Sequence, residues 1–217
     1  MKDRLYGMTS MFRARYRMLT SKRARKALKD ALDEFCVVVK EDLTDHSRVD
    51  VARALHVKTD EILASDQARD PDSARIRCTA GCHFCCRQIV AITSAEAELL
   101  VDVAEQRGLP LDEATLIRQT PYTDDTWTRQ TPTDQACVFL GSDGRCQVYA
   151  DRPLSCRKYF SASEPELCDL TRHPKGQVLV WHSLQAETLT TAAFTEMTMG
   201  FMPAQLLAAL TRKKGSQ

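Results

Sequence analysis

The sequence has no long apolar run. Nowhere in its 217 residues does hydrophobic sequence approach the ~20 residues that a membrane-spanning helix needs. The N-terminus lacks the apolar segment of a secretory signal, so a reducing compartment, the cytoplasm, is expected. There is no Gly-x-Ser-x-Gly elbow, no His-Glu-x-x-His helix and no Walker loop, which makes hydrolase chemistry the least favoured class. Internal repeats and low-complexity tracts are absent as well.

What is present describes an ordinary globular chain. Hydrophobic residues make up 43% and charged residues 27%, and the length suffices for one sizeable domain or one compact domain with arms. The net charge is +1 but unevenly spread. Residues 1–30 hold Lys2, Arg4, Arg13, Arg15, Arg17, Lys22, Arg23, Arg25, Lys26 and Lys29 against Asp3 and Asp30, a net of +8, which leaves −7 on residues 31–217. Such a basic arm suits a nucleic acid, an acidic protein partner or an anionic surface. It equally suits a solvated helix balancing an acidic body, and no aromatic stacking platform accompanies it. An Arg-rich, acid-poor start also resembles an organelle transit peptide.

Periodicity predicts a mainly helical chain. Leu28, Leu32, Phe35, Cys36, Val39 and Leu43 share one face of a helix expected over 12–45. A second helical segment is expected over 49–67, and Asp70-Pro71-Asp72-Ser73 reads as a turn. Residues 88–92 read as a short strand. Thr93 and Glu96 form a capping-box pattern that opens a helix, which Gly108 and Pro110 stop. Residues 109–135 read as a long polar loop with at most one short helix, expected to lie over the site described next. Residues 136–149 read as a β-hairpin turning at Gly141–Gly144, with Leu140 opposite Arg145. Asp151-Arg152-Pro153 opens a short helix with Asp151 near its N-cap. Residues 178–181 are a last strand, and 186–200 and 203–213 are helices.

The chemistry lies in the cysteines. There are nine, an odd count that argues against a disulfide framework, as does the adjacency of Cys85 and Cys86. Cys36 falls within an apolar helical stripe and reads as a small core residue. The other eight form two blocks: Cys78, Cys82, Cys85 and Cys86, then Cys137, Cys146, Cys156 and Cys168. Thiolates are soft donors that prefer zinc, copper(I) or iron–sulfur clusters. Cys82-x2-Cys85 is a bidentate clip of the kind both zinc and cluster sites use, and Gly81 lets the chain turn before it. Cys86 points away from Cys85, since adjacent side chains diverge. Eight thiols permit two zinc sites, one cluster plus one zinc, or one site plus spare thiols. His83 sits inside the clip, where the chain points outward. His46, His56, His173 and His182 lack partners at metal spacing.

The order of these residues resembles a known family. Cys78-x3-Cys82-x2-Cys85-Cys86 is followed by Ala136-Cys137-x2-Leu140, Gly144-Arg145-Cys146-Gln147-Val148-Tyr149, Arg152-Pro153-x2-Cys156 and Cys168. The series resembles the zinc- or iron-chelating cysteine-cluster family of YkgJ-like, CxxCxxCC-domain proteins, over about residues 76–170. All eight family cysteines have a counterpart in the same order; the first gap is three residues here and two in the family's name. The resemblance implies metal chelation by all eight, with Zn2+ or an iron–sulfur cluster as cofactor, and no settled reaction. Flagellin lysine N-methylases carry a similar cluster, but the eight glycines here form no Gly-x-Gly loop to cradle S-adenosylmethionine.

The expected fold is α+β, mainly helical with a small β-hairpin, organised around a cysteine-rich metal core. The expected layout is a basic helical arm (1–30), a helical segment (31–70), the cysteine-cluster domain (71–185) and C-terminal helices (186–217). Three functions compete. The first is a zinc or iron–sulfur protein with a redox or protein-modification role, tuned by Arg145, Arg152, Arg157 and Lys158 near the thiolates. The second is a zinc-stapled module that binds nucleic acid or an acidic protein through residues 1–30. The third is metal storage or delivery.

Overall fold

A computed structural model describes residues 9–79, 81–169, 172–173 and 178–215. Each long helix of the N-terminal half begins where a hydroxyl can accept an orphan backbone amide. Thr9 caps α1 (Ser10–Met18), Ser21 caps α2 (Lys22–Asp45) and Ser47 caps α3 (Arg48–Arg69). The sequence predicts one helix over 12–45, and two form. Ser21 Oγ accepts from Ala24 N, and Arg25 Nε donates to the Leu19 carbonyl at 2.6 Å. These bonds satisfy a corner at 19–21 that would otherwise be a continuous helix. The apolar face of α2 is the one periodicity selects: Leu28, Leu32, Cys36 and Val39 are buried. Lys2 and Arg4 of the basic arm lie outside the described residues.

The middle of the chain supplies the centre of the fold. Thr93 and Glu96 make both reciprocal bonds of a capping box and open α4 (Ser94–Gln106). Asp112 caps α5 (Glu113–Gln119). After the four-residue α6 (Leu154–Arg157) come α7 (Leu184–Glu196) and α8 (Met202–Gly215). α4 packs between α3 and α8, while α7 lies against α2. Leu99, Leu100, Leu116, Leu189 and Leu206 are fully or almost fully buried and form the middle of this aliphatic core. α7 carries Thr190 and Thr191 into it. Their hydroxyls donate to the Ala186 and Glu187 carbonyls at 2.8 Å, so burial leaves neither unsatisfied.

The fold is mainly helical α+β, with two small antiparallel strand pairs. β1 (Ala91–Thr93) pairs with β4 (Met199–Phe201), Ala91 opposite Phe201. β2 (Phe160–Ser161) pairs with β3 (Val180–Trp181), Phe160 opposite Trp181. The expected helix 186–200 therefore ends at Glu196, because residues 199–201 are drawn into the ladder with β1. Among the described residues no helix is long and apolar enough to cross a membrane.

Two local expectations differ from the structure. Residues 136–149 form turns closed by one bridge, Leu140 opposite Cys146, one residue beyond the expected register. Asp143 Oδ1 accepts the Arg145 amide at 3.0 Å and holds Arg145 inside the turn, so Cys146 is the first residue free to pair. Gly144, at φ +76°, supplies the left-handed step of that turn. Asp151 does not cap α6. It turns to Arg107 at 2.7 Å and Arg53 at 3.4 Å, and two guanidiniums hold its carboxylate better than one amide would.

Candidate metal centre

The eight cysteines lie on segments with little regular structure, and Cys137 and Cys146 pack against the aliphatic core. The first block follows a 3₁₀ turn at Pro71–Arg75. Gly81, at φ +88°, turns the chain, and the Cys82 amide donates to the Thr79 carbonyl at 3.1 Å. Phe84–Arg87 is a second 3₁₀ turn. Its tightness puts Cys85 and Cys86 roughly a third of a turn apart. His83 is engaged elsewhere: its ring stacks on Phe84 with centroids 5.0 Å apart, and Nδ1 lies 3.3 Å from the Gly81 carbonyl.

Distant parts of the chain close on this block. The Arg77 amide donates to the Ser161 carbonyl at 2.8 Å, which lays Cys78 beside β2. The Ser161 amide then donates to Cys78 Sγ at 3.1 Å, and the Cys168 thiol donates to Ser161 Oγ at 3.3 Å. Cys168 ends a 3₁₀ turn (Pro165–Cys168) that packs on Phe84–Arg87. On the other side the Cys137 amide donates to the Cys86 carbonyl at 2.8 Å. Cys156, in α6, is positioned from below. Leu154 N donates to buried Glu96 at 2.6 Å, Ser155 Oγ donates to the Ala91 carbonyl at 2.8 Å, and buried Arg157 reaches Asp60 at 2.6 Å.

The segment 109–135 bonds to the backbone beside both cysteine blocks. Trp127 Nε1 donates to the Arg87 carbonyl at 2.7 Å, and Gln119 Nε2 donates to the Ala136 carbonyl at 2.9 Å. It thus braces the chain one residue beyond Cys86 and one before Cys137. Ser161 and Glu96 are the positioning residues that sequence alone did not mark as such. Glu96 was read only as half of a capping box, and a lone serine in a Ser-rich stretch carries no signal.

Burial pushes Cys78 and Cys82 up, and the charges of Cys85 and Cys168 push both further. Burial pushes Cys137 up to about 12 and raises Cys146 and Cys156, and Cys85 adds to all three. Cys85 is itself raised, first by its hydrogen bond with Cys86 and then by loss of water. Of the four basic side chains considered near the thiolates, Arg152 lowers Cys146 in partial opposition to burial. Arg157 pairs with Asp60, and Lys158 with buried Glu187, so both hold the fold together; Arg145 is exposed. Among the described residues, no three His, Cys, Asp or Glu side chains converge at metal-holding distance.

Thiols that burial keeps protonated are open to a soft cation, which binds and stabilises the thiolate. Residues 77–178 match the CxxCxxCC family model, described as a putative zinc- or iron-chelating domain. All eight cysteines of the two blocks lie within this CxxCxxCC stretch, and Cys36 lies outside it. No curated protein and no solved structure matches the chain. The donor set fits the chelating description. It offers eight thiols, and His83, the one histidine within the first cysteine block, already has local partners.

Proposed function

We propose that the CxxCxxCC stretch chelates zinc or an iron–sulfur cluster through Cys78, Cys82, Cys85, Cys86, Cys137, Cys146, Cys156 and Cys168. The observation that carries this reading is the match of residues 77–178 to a family model described as a putative zinc- or iron-chelating domain, a stretch that holds all eight of these cysteines. Cys78 is exposed, which favours a centre that a protein partner or an electron donor can reach, in a redox or protein-modification role. The test is purification without oxygen, followed by measurement of zinc, iron and acid-labile sulfide per chain. Iron with sulfide, or about two zinc ions with no colour, is the expected result. A chain that carries neither metal, and takes up neither on reconstitution, rejects the reading.

The N-terminal arm supports a second role for the same protein. Arg13, Arg15, Arg17, Lys22 and Arg23 are all exposed, a density of positive charge suited to a nucleic acid or an acidic protein. Nucleic-acid affinity should fall steeply with salt and vanish when residues 1–30 are deleted. Salt-insensitive binding, or none, removes this role.

A further inference from the structure

Resting on that chelating role, we infer that Ser161 is a positioning residue for two of the proposed ligands, Cys78 and Cys168, which lie 90 positions apart in sequence. Its amide holds the Cys78 sulfur and its hydroxyl holds the Cys168 sulfur, in an arrangement that serves a metal-bound thiolate as well as a free thiol.

Ser161 ends β2, and both of its backbone groups are turned to residues 77 and 78. The carbonyl accepts the Arg77 amide at 2.8 Å, and the amide donates to Cys78 Sγ at 3.1 Å. An amide N–H can only donate, so this bond survives when the thiol becomes a thiolate. It then gains strength, because a donor facing an ionised acceptor makes the stronger bond. Cys78 is exposed, and the contact selects one rotamer for a sulfur that would otherwise sample several.

The Ser161 hydroxyl is used to capacity. It is 3% exposed, donates to the Ser163 carbonyl at 3.1 Å, and accepts from the Ser163 amide at 3.1 Å and from the Cys168 thiol at 3.3 Å. One donated and two accepted bonds are all that a hydroxyl makes. Cys168 is the one buried cysteine of the two blocks, at 4% exposure, so water does little for a thiolate there. When a soft cation takes this sulfur, the thiol proton leaves to solvent, and the bond from sulfur to oxygen goes with it. The hydroxyl rotates, and its own proton turns from the Ser163 carbonyl to the Cys168 sulfur. Donors placed behind a metal ligand in this way are typically worth about 10–100-fold in metal affinity.

The experiment compares the full chain with Ser161→Ala, Ser161→Thr and Ser163→Ala after reconstitution with zinc, or with iron and sulfide if zinc is not taken up. Ser161→Ala removes the hydroxyl and keeps the amide. Metal affinity, read by chelator competition, should fall about 10–100-fold. Alkylation of the loaded protein should quicken more at Cys168 than at Cys78, which keeps its amide bond. Ser161→Thr returns the hydroxyl and should bring both readouts back toward those of the unmodified chain. Ser163→Ala deletes a neighbouring hydroxyl that accepts from the Leu179 amide at 2.9 Å. It controls for local damage and should leave metal affinity and the Cys168 rate unchanged. If the threonine variant folds poorly, the contrast between the two alanine variants decides. A Ser161→Ala chain that holds metal as firmly as the unmodified one, or a Ser163→Ala chain that loses it equally, overturns the positioning role and leaves chelation intact. An unmodified chain that takes up neither zinc nor iron defeats the chelating role beneath it.

Discussion

Stripping the metal will loosen the cysteine segments and leave the helical body standing. The core is continuous through α2, α3, α4, α7 and α8, mostly of leucine, valine, isoleucine and alanine, and Phe139, Val148, Leu154 and Trp181 of the cysteine segments reach it. Burial of this kind stabilises at about 25 cal/mol per Å2 of apolar surface and needs no metal. The segments 76–90 and 136–183 differ. Among their described residues the helical pieces are no longer than four residues, and the strands are two residues each. A few core side chains, hydrogen bonds and the proposed thiol ligands must supply what regular structure does not. Chelation under reducing conditions should therefore retain most of the far-ultraviolet helical signal, while proteases gain cleavage sites within 120–183. Loss of a tight ligand worth about 3 kcal/mol or more should lower the melting temperature by roughly 6–12 °C for a chain of this size. Collapse of the helical signal on chelation would show instead that metal and core fold as one unit.

The second large effect lies at Glu96, a core residue that also touches the site. One carboxylate oxygen accepts from Thr93 N at 2.8 Å and from Thr93 Oγ1 at 3.0 Å. The other accepts from Leu154 N at 2.6 Å and faces His56 Nε2 at 3.5 Å. The group thereby joins the start of α4, the middle of α3 and the α6 turn that carries Cys156. Glu96→Ala leaves two buried amides without acceptors and should cost about 3–5 kcal/mol. Glu96→Gln keeps the volume but turns an NH2 group toward amide donors, and should cost about 1–3 kcal/mol. Both should hold metal less firmly at the Cys156 ligand than at Cys78 or Cys168, because only α6 loses its anchor.

The same residue sets a pH dependence. Burial opposes ionisation of Glu96, but the bond with His56, its charge, and the Thr93 and Leu154 amides outweigh burial and bring the pKa below the ordinary value of 4.5. A carboxylate with a depressed folded pKa contributes stability that is full above the unfolded value and lost as pH falls through the folded one. Acid titration of the melting temperature should show a loss beginning near pH 4.5 that is shallower in Glu96→Gln. Equal slopes in the two proteins would remove Glu96 as its source.

The helices and the chelating-family stretch were legible in the sequence because each rests on a local pattern. The stripe through Leu28, Leu32, Cys36 and Val39 gave the inner face of α2, and Thr93 with Glu96 gave the start of α4. Eight cysteines at chelating spacings marked the site. What the sequence concealed was made by single hydrogen bonds. The corner at 19–21 depends on Arg25 reaching Leu19, and the register at Leu140 on Asp143 holding Arg145. The approach of Cys168 and Cys137 to the first cysteine block depends on Ser161 and on the Cys137 amide, which connect segments from 51 to 90 positions apart in sequence. No periodicity or spacing rule encodes such pairings.

X-ray absorption at the metal edge of the chain, purified without oxygen, tests the chelating role most directly. The account predicts a first shell of sulfur alone, about four per metal at roughly 2.3 Å, with no imidazole scattering. A shell dominated by nitrogen or oxygen would contradict it, because His83 or carboxylates would then be the ligands in place of the eight cysteines.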